Sequence, residues 1–204
     1  MVEIFLPSLS MTLPPPTLIP IMAILDFLGY MGKLKTLKRT GWVRAGVHLP
    51  ESDSDHMHRA ALCAMLVESV DRDRCIRMAL VHDVCECIAG DLTPHCGVGR
   101  EEKDARERAA LRQLKTVLGP EHPLGAELLQ LWEEYQIGTS PEAKYVKDID
   151  KFEMILQADE YEQAQPGLDL EQFFASTKGY FHTPLFQGLD AELRARRDRR
   201  LGRG

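Results

Sequence analysis

Between Leu80 and Asp91 the chain reads LVHDVCECIAGD: His82 beside Asp83, Glu86 three residues further on, and Asp91 after a glycine. Unpaired charge inside an apolar run is costly, so these side chains call for a cation, salt-bridge partners or an exposed face. Two more ligand-type residues fall on helical patterns: His56 in PESDSDHMHR and Asp150 in YVKDIDKFEMIL. His56, His82, Asp83 and Asp150 together make two imidazoles and two carboxylates. That donor set suits borderline to hard divalent ions such as Mn, Co, Zn, Fe or Mg. Four protein ligands on a six-coordinate ion leave room for water and a phosphate oxygen, as a hydrolytic centre requires. Neighbouring helix residues point about 100 degrees apart, so His82 and Asp83 share an ion only at the edge between their directions. Singly, each residue has an ordinary reading: a helix-start histidine, a chance His-Asp pair, an Asp150 paired with Lys147 or Lys151.

Helical spacing must position these groups, for no alternating strand pattern of useful length and no internal repeat is present. The spacing predicts helices over 21–34, 54–70, 73–89, 101–118, 123–135 and 140–163, and a last one opening at Thr183-Pro184. Ser52 to Asp55 supply N-cap candidates, and Gly90 stops the 73–89 helix. Ser140-Pro141-Glu142 is a cap, a first-position proline and a first-turn acid. Residues 39–52 (RTGWVRAGVHLPES) and 90–99 (GDLTPHCGVG) read as loops. The expected fold is all-α, one helical bundle of about seven or eight helices over 22–190. Residues 1–21 are expected as a mobile extension and 191–204 as a basic, solvated helix end.

The bulk numbers set the class. With 204 residues, 44% hydrophobic and 27% charged, the chain can bury a real core. A net charge of −6 argues against affinity for nucleic acid polymers or anionic membranes. The N-terminal apolar stretch is broken by Pro14 to Pro16, Pro20 and Asp26 and has no basic start, so neither a signal peptide nor a membrane span is expected. The Cys residues are 63, 75, 85, 87 and 96, with no CxxC pair; a structural zinc is disfavoured and reduced thiols in the cytoplasm are expected. No glycine-rich phosphate loop is present.

The order His56, His82-Asp83, Asp150 resembles the H…HD…D signature of the HD-domain metal-dependent phosphohydrolases. KRTGW, LVHDVCECIAGD, EEK, LWEEY and EAKYVKDIDKFEMILQADEYE extend the likeness to the HD-type 5′-deoxynucleotidases over about residues 22–190. The resemblance implies that His56, His82, Asp83 and Asp150 hold a divalent cation. It implies that Glu86 positions or deprotonates the attacking water and that Asp91 is a further active-site acid. Glu86, Asp91 and the Leu92 carbonyl are implied to hold a second ion. Arg39 is implied to contact the phosphate, Trp42 to lie by the sugar and disfavour a 2′-hydroxyl, and Glu134 (Glu133 in an alternative register) to lie near the nucleoside. A homodimer is implied too. Plainer roles stay open for each: Glu86 as a partner of Arg59, Asp91 as a turn residue, Trp42 as a core aromatic, Arg39 as a surface charge.

The expected activity is hydrolysis of 2′-deoxyribonucleoside 5′-monophosphates to nucleoside and phosphate, with loose base selection. Two other readings stay open: an HD phosphohydrolase for another nucleotide, and a non-catalytic nucleotide-binding protein on the same fold.

Overall fold

A computed structural model describes residues 20–203. Among these, ten α-helices and one 3-10 turn carry the fold, and no strand is present beyond a single antiparallel bridge between Lys38 and Ser52. Most of the expected extension over 1–21 lies outside the described residues; Ile21 opens the first helix.

The long helices follow their sequence signals. They are α1 (Ile21–Leu34), α3 (Asp53–Ala64), α4 (Arg72–Val81), α6 (Arg100–Leu118), α7 (Pro123–Ile137), α8 (Pro141–Ala164) and α10 (Pro184–Leu201). The difference from seven or eight lies in three short helices, α2 (Thr40–Arg44), α5 (Glu86–Ala89) and α9 (Glu171–Ser176). Segments of four to six residues are too short to show a helical period, and isolated they would not hold. The stretch expected as a loop therefore contains α2. The helix expected over 54–70 begins at Asp53 and ends at Ala64, after which the chain turns so that Val67 enters the core.

The helix expected over 73–89 is split. Its regular ladder ends with His82 N–H donating to Met78; Val84, Glu86 and Cys87 then donate three residues back, to Val81, Asp83 and Val84. His82 and Asp83 occupy this turn between α4 and α5, not the middle of a helix.

Helix α8 runs through the centre. Its Val146, Ile149, Ile155 and Ala158 are fully buried against Ala60 and Ala64 of α3 and Cys75, Met78 and Ala79 of α4. The alanines let the three helix backbones approach closely, so side chains on different helices can converge on one point. A second cluster, Leu34, Cys85, Leu111, Leu114 and Trp132, seats α1, α5 and α6 on α7.

Helix α8 also buries Asp148, Asp150, Glu153, Asp159 and Glu162. Buried carboxylates need donors, and these have them. Asp148 accepts from Thr183 N–H and Oγ1 at 2.8 and 2.7 Å. Glu162 accepts from Arg197 Nε and Nη2, both at 2.8 Å. This pair alters the reading of the C-terminus: α10 continues through residue 190, and Leu193 and Arg197 are buried, so residues 191–201 are a docked half-helix and not a solvated end.

Candidate active site

The capping box that opens α3 sets His56. Ser52 Oγ accepts from Asp55 N–H at 3.2 Å, and the Asp55 carboxylate accepts from Ser52 N–H at 2.8 Å. His56 follows in the first turn, with no exposed surface. Its Nδ1 is bonded to the Glu153 carboxylate, which Arg59 Nε holds from behind at 2.8 Å. His82 is fixed likewise: Nδ1 lies 2.8 Å from the Ala79 carbonyl, so Nδ1 carries the proton and Nε2 presents its lone pair.

The two Nε2 atoms then face each other at 3.2 Å. Asp150 Oδ1 lies 3.4 Å from His56 Nε2, and Asp83 Oδ2 lies 3.4 Å from His82 Nε2 and 3.9 Å from His56 Nε2. Two imidazole lone pairs turned towards one another repel unless a proton or a cation lies between them. Two carboxylates beside them make a cation the better complement, and each imidazole has an outer hydrogen-bond partner of the kind metal-ligating histidines keep. His56, His82, Asp83 and Asp150 thus fit a divalent ion.

Electrostatics agree. Burial and Arg39 would push the His56 imidazole down, but Glu153 and Asp150 raise it to about 9. Burial holds His82 below its ordinary value. Burial alone would raise the Asp150 carboxyl, yet Lys151, His56 and His82 hold it well below the usual carboxylate range. Asp150 also accepts from the Tyr135 hydroxyl at 2.9 Å.

Arg39 precedes α2 and reaches into the same group: Nη1 donates to Asp83 Oδ2 at 2.8 Å and lies 3.9 Å from Glu86 Oε2. The Asp91 carboxylate caps the N-terminal end of α2, accepting from Thr40 N–H at 2.6 Å, while Thr40 Oγ1 donates to the Asp91 carbonyl at 2.8 Å. Between Glu86 and Asp91, Gly90 adopts φ 78° and ψ 159°, a backbone open essentially to glycine alone, and turns the chain back towards α2. Glu86 is buried, its Oε2 has no hydrogen-bond partner, and burial followed by Asp83 and Asp91 pushes its carboxyl well up.

Arg39, Asp83, Glu86, Asp91 and Asp150 line a cavity of about 910 Å³ with Trp42, Phe173 and Tyr180 in its wall. Trp42 is both cavity wall and core: its ring centroid lies 4.3 Å from that of Phe173, and Nε1 donates to Glu51 at 2.8 Å. Glu134 is not in the lining. It is paired with Arg74 and accepts from Ser140 Oγ at 2.6 Å, and Glu133 is paired with Arg108. Tyr135, next in sequence, lines the cavity instead. The turn of α7 aims Tyr135 inward and both acids outward. The Leu92 carbonyl accepts from Lys103 Nζ at 2.8 Å, which sets a positive charge where a second ion was expected to use that oxygen. No cysteine belongs to a metal-type cluster among the described residues, and all five thiols are free.

Sequence reasoning missed Glu153, Thr40 and Asp53. Glu153 sits three residues after Asp150, which puts both on one helical face; that spacing was its only available signal.

The comparisons with known proteins agree with this fold. Residues 31–188 match the HD domain family, and the chain belongs to it. It is 50% identical over 179 residues to the protein named 5′-deoxynucleotidase HDDC2 of Bos taurus, covering 86% of each chain. It is 48% identical over 179 residues to the Homo sapiens protein of the same name, again covering 86% of each. A solved structure described as a predicted metal-dependent phosphohydrolase from Magnetospirillum magnetotacticum superposes with a TM-score of 0.67 at 25% identity, covering 90% of this chain and 97% of that one. No helix among the described residues is long and apolar enough to cross a membrane.

Proposed function

We propose that the chain is a divalent-cation-dependent 5′-deoxynucleotidase, releasing inorganic phosphate from 2′-deoxyribonucleoside 5′-monophosphates. The observation that carries this reading is the convergence of His56, His82, Asp83 and Asp150, of which Asp83 and Asp150 line one cavity with Arg39 and Trp42. The names of the relatives support the same substrate class.

His56, His82, Asp83 and Asp150 would hold the cation, chosen from Mn, Co, Mg or Zn by a donor set that accepts several. When bound, such an ion acts as a Lewis acid and lowers the pKa of water. The remaining work falls to the chain. Arg39 binds the equatorial phosphate oxygens and offsets charge that builds there. Glu86, buried beside Asp83 and Asp91, orients the attacking water and accepts its proton. The water oxygen bonds to phosphorus, the bond to the 5′-oxygen breaks, and the proton Glu86 took from the water is returned, so that oxygen leaves as the nucleoside's hydroxyl. Trp42, held by Glu51 and Phe173, would stand as the rigid wall beside the sugar and disfavour a 2′-hydroxyl. Asp91 keeps Arg39 in place through Thr40. The same reading makes the protein a cytoplasmic homodimer that binds no nucleic acid polymer.

Stripping the protein with chelator, restoring Mn, Co or Mg, and following phosphate release from dAMP and AMP tests the reading, with His82→Ala as control. Ion-dependent release, faster from dAMP and absent in the control, is expected. Equal turnover with and without ion, or an active His82→Ala protein, overturns it.

A further inference from the structure

Glu51 lines the cavity from the segment before α3 and so far serves only to hold Trp42. Its backbone is pinned from two sides. The carbonyl accepts from Arg39 N–H at 3.3 Å, and its own N–H donates to the Tyr161 hydroxyl of α8 at 2.7 Å. The first of these bonds seats Glu51 beside the residue assigned to the phosphate.

The Glu51 carboxylate accepts from Trp42 Nε1 at 2.8 Å through Oε1. Among the described residues no donor reaches Oε2, and this oxygen is not sealed away as those of Asp53 and Glu86 Oε2 are. A carboxylate accepts several hydrogen bonds, so capacity is left over. The neighbours are already committed. Glu153, with an oxygen within 4.8 Å of the Glu51 carboxylate, is engaged by His56 and Arg59. Arg39 is bonded to Asp83, and Arg59 to Glu153, Glu160 and Gln157. Trp42 spends its single donor on Glu51. What the cavity offers beside Trp42 is therefore a free acceptor, and an acceptor selects a ligand that brings an O–H or N–H.

A 2′-deoxyribonucleoside 5′-monophosphate carries one such group whatever its base. The 5′-oxygen bears the phosphate, the 2′-position holds no oxygen, and amino groups differ from base to base. Only the 3′-hydroxyl is common to all. We propose that Glu51 is a substrate-binding residue whose Oε2 accepts a hydrogen bond from the 3′-hydroxyl of the sugar. The assignment rests on the nucleotidase reading of the cavity. It joins two selections in one pair of residues: Trp42 disfavours a 2′-hydroxyl, and the acid that holds Trp42 requires the 3′-hydroxyl. The sugar is then read on two sides without any contact that depends on the base.

The nucleotides dAMP and 2′,3′-dideoxy-AMP differ only at that hydroxyl, so the ratio of their kcat/KM values tests the contact. With Mn²⁺ restored to the full chain, the unaltered protein is expected to prefer dAMP by about 10- to 150-fold, the range of a hydrogen bond to a charged acceptor. Glu51→Ala should bring the two nucleotides to parity, whatever happens to the absolute rates. Glu51→Gln keeps the size and an acceptor for Trp42 Nε1. It should lower the ratio several-fold, because a neutral acceptor bonds about half as strongly, and it substitutes if the alanine variant does not fold. A purely structural role for Glu51 would slow both nucleotides together and leave the ratio alone. Equal kcat/KM values in the unaltered protein, or a ratio unchanged in a folded Glu51 variant, overturns the assignment and leaves Glu51 as a support for Trp42. No phosphate release from dAMP with any ion overturns the nucleotidase reading itself, and the assignment with it.

Discussion

The His56 and His82 rings meet with their Nε2 atoms 3.2 Å apart, although 26 residues separate them in the chain. Each ring is aimed by an outer partner, Glu153 for His56 and the Ala79 carbonyl for His82. Everything chemical about the centre follows from that aim, and it can be tested one contact at a time.

Glu153 is a positioning residue. Glu153→Gln keeps the size but removes the charge that fixes the His56 Nδ1 proton, and leaves Arg59 without its buried partner. Ion affinity at the first site should fall about 10- to 100-fold. Calorimetric titration reads the affinity, and phosphate release at saturating ion separates weaker binding from slower turnover. Unchanged affinity would refute the role.

Trp42 carries both stability and sugar choice. Trp42→Ala should destabilise the fold by about 3–5 kcal/mol, since the ring is 2% exposed and packs on Phe173 and Tyr161. Trp42→Phe keeps a wall but loses the bond to Glu51, and should narrow the preference for dAMP over AMP. Urea unfolding measures the first effect and the ratio of kcat/KM values the second. An unchanged ratio would remove Trp42 from sugar recognition.

Gly90→Ala isolates backbone strain. A Cβ there meets nothing within 4 Å, so no clash contributes. With φ at 78° the substitution should still cost about 1–3 kcal/mol. It should also slow turnover, because Asp91 would be displaced from Thr40. A thermal melt matching the unaltered protein would show that the turn relaxes without penalty.

Acid stability should depend on Glu162. Burial raises its carboxyl, but Arg197, the Leu170 N–H and Arg200 bring it from 4.5 to about 2. A depressed acid stabilises the folded state fully above its unfolded value and loses that contribution as pH falls towards its folded value. The unaltered protein should therefore lose stability between about pH 4.5 and pH 2 from this group. In Glu162→Gln that part of the decline should vanish, while stability near pH 7 drops by about 1–3 kcal/mol because the buried Arg197 keeps only Glu171 as a carboxylate partner. Denaturant unfolding at a series of pH values gives both numbers.

How much of this was legible before folding varies by element. Helices α6, α7 and α8 announce themselves through amphipathic spacing and signals such as Ser140-Pro141, and they end within a few residues of expectation. Helices α2 and α5 do not, because they are held by tertiary bonds, Asp91 to Thr40 above all. LWEEY suggested an acid at the nucleoside, but which residue of a helical run faces a cavity depends on the roll of α7, and that roll presents Tyr135.

Residue chemistry was a property of the sequence alone: two imidazoles and several carboxylates embedded in apolar helical patterns, an all-α fold, and a family likeness carried by ordered motifs. Only the tertiary structure decided which of them meet. Local periodicity sets the face a side chain occupies on its own helix, but the distance between His56 and Glu153, or among Asp53, Glu86 and Asp91, is set by how closely α3, α8 and the turn at Gly90 pack. That depends on long-range contacts among alanines and buried acids that no short window of sequence contains.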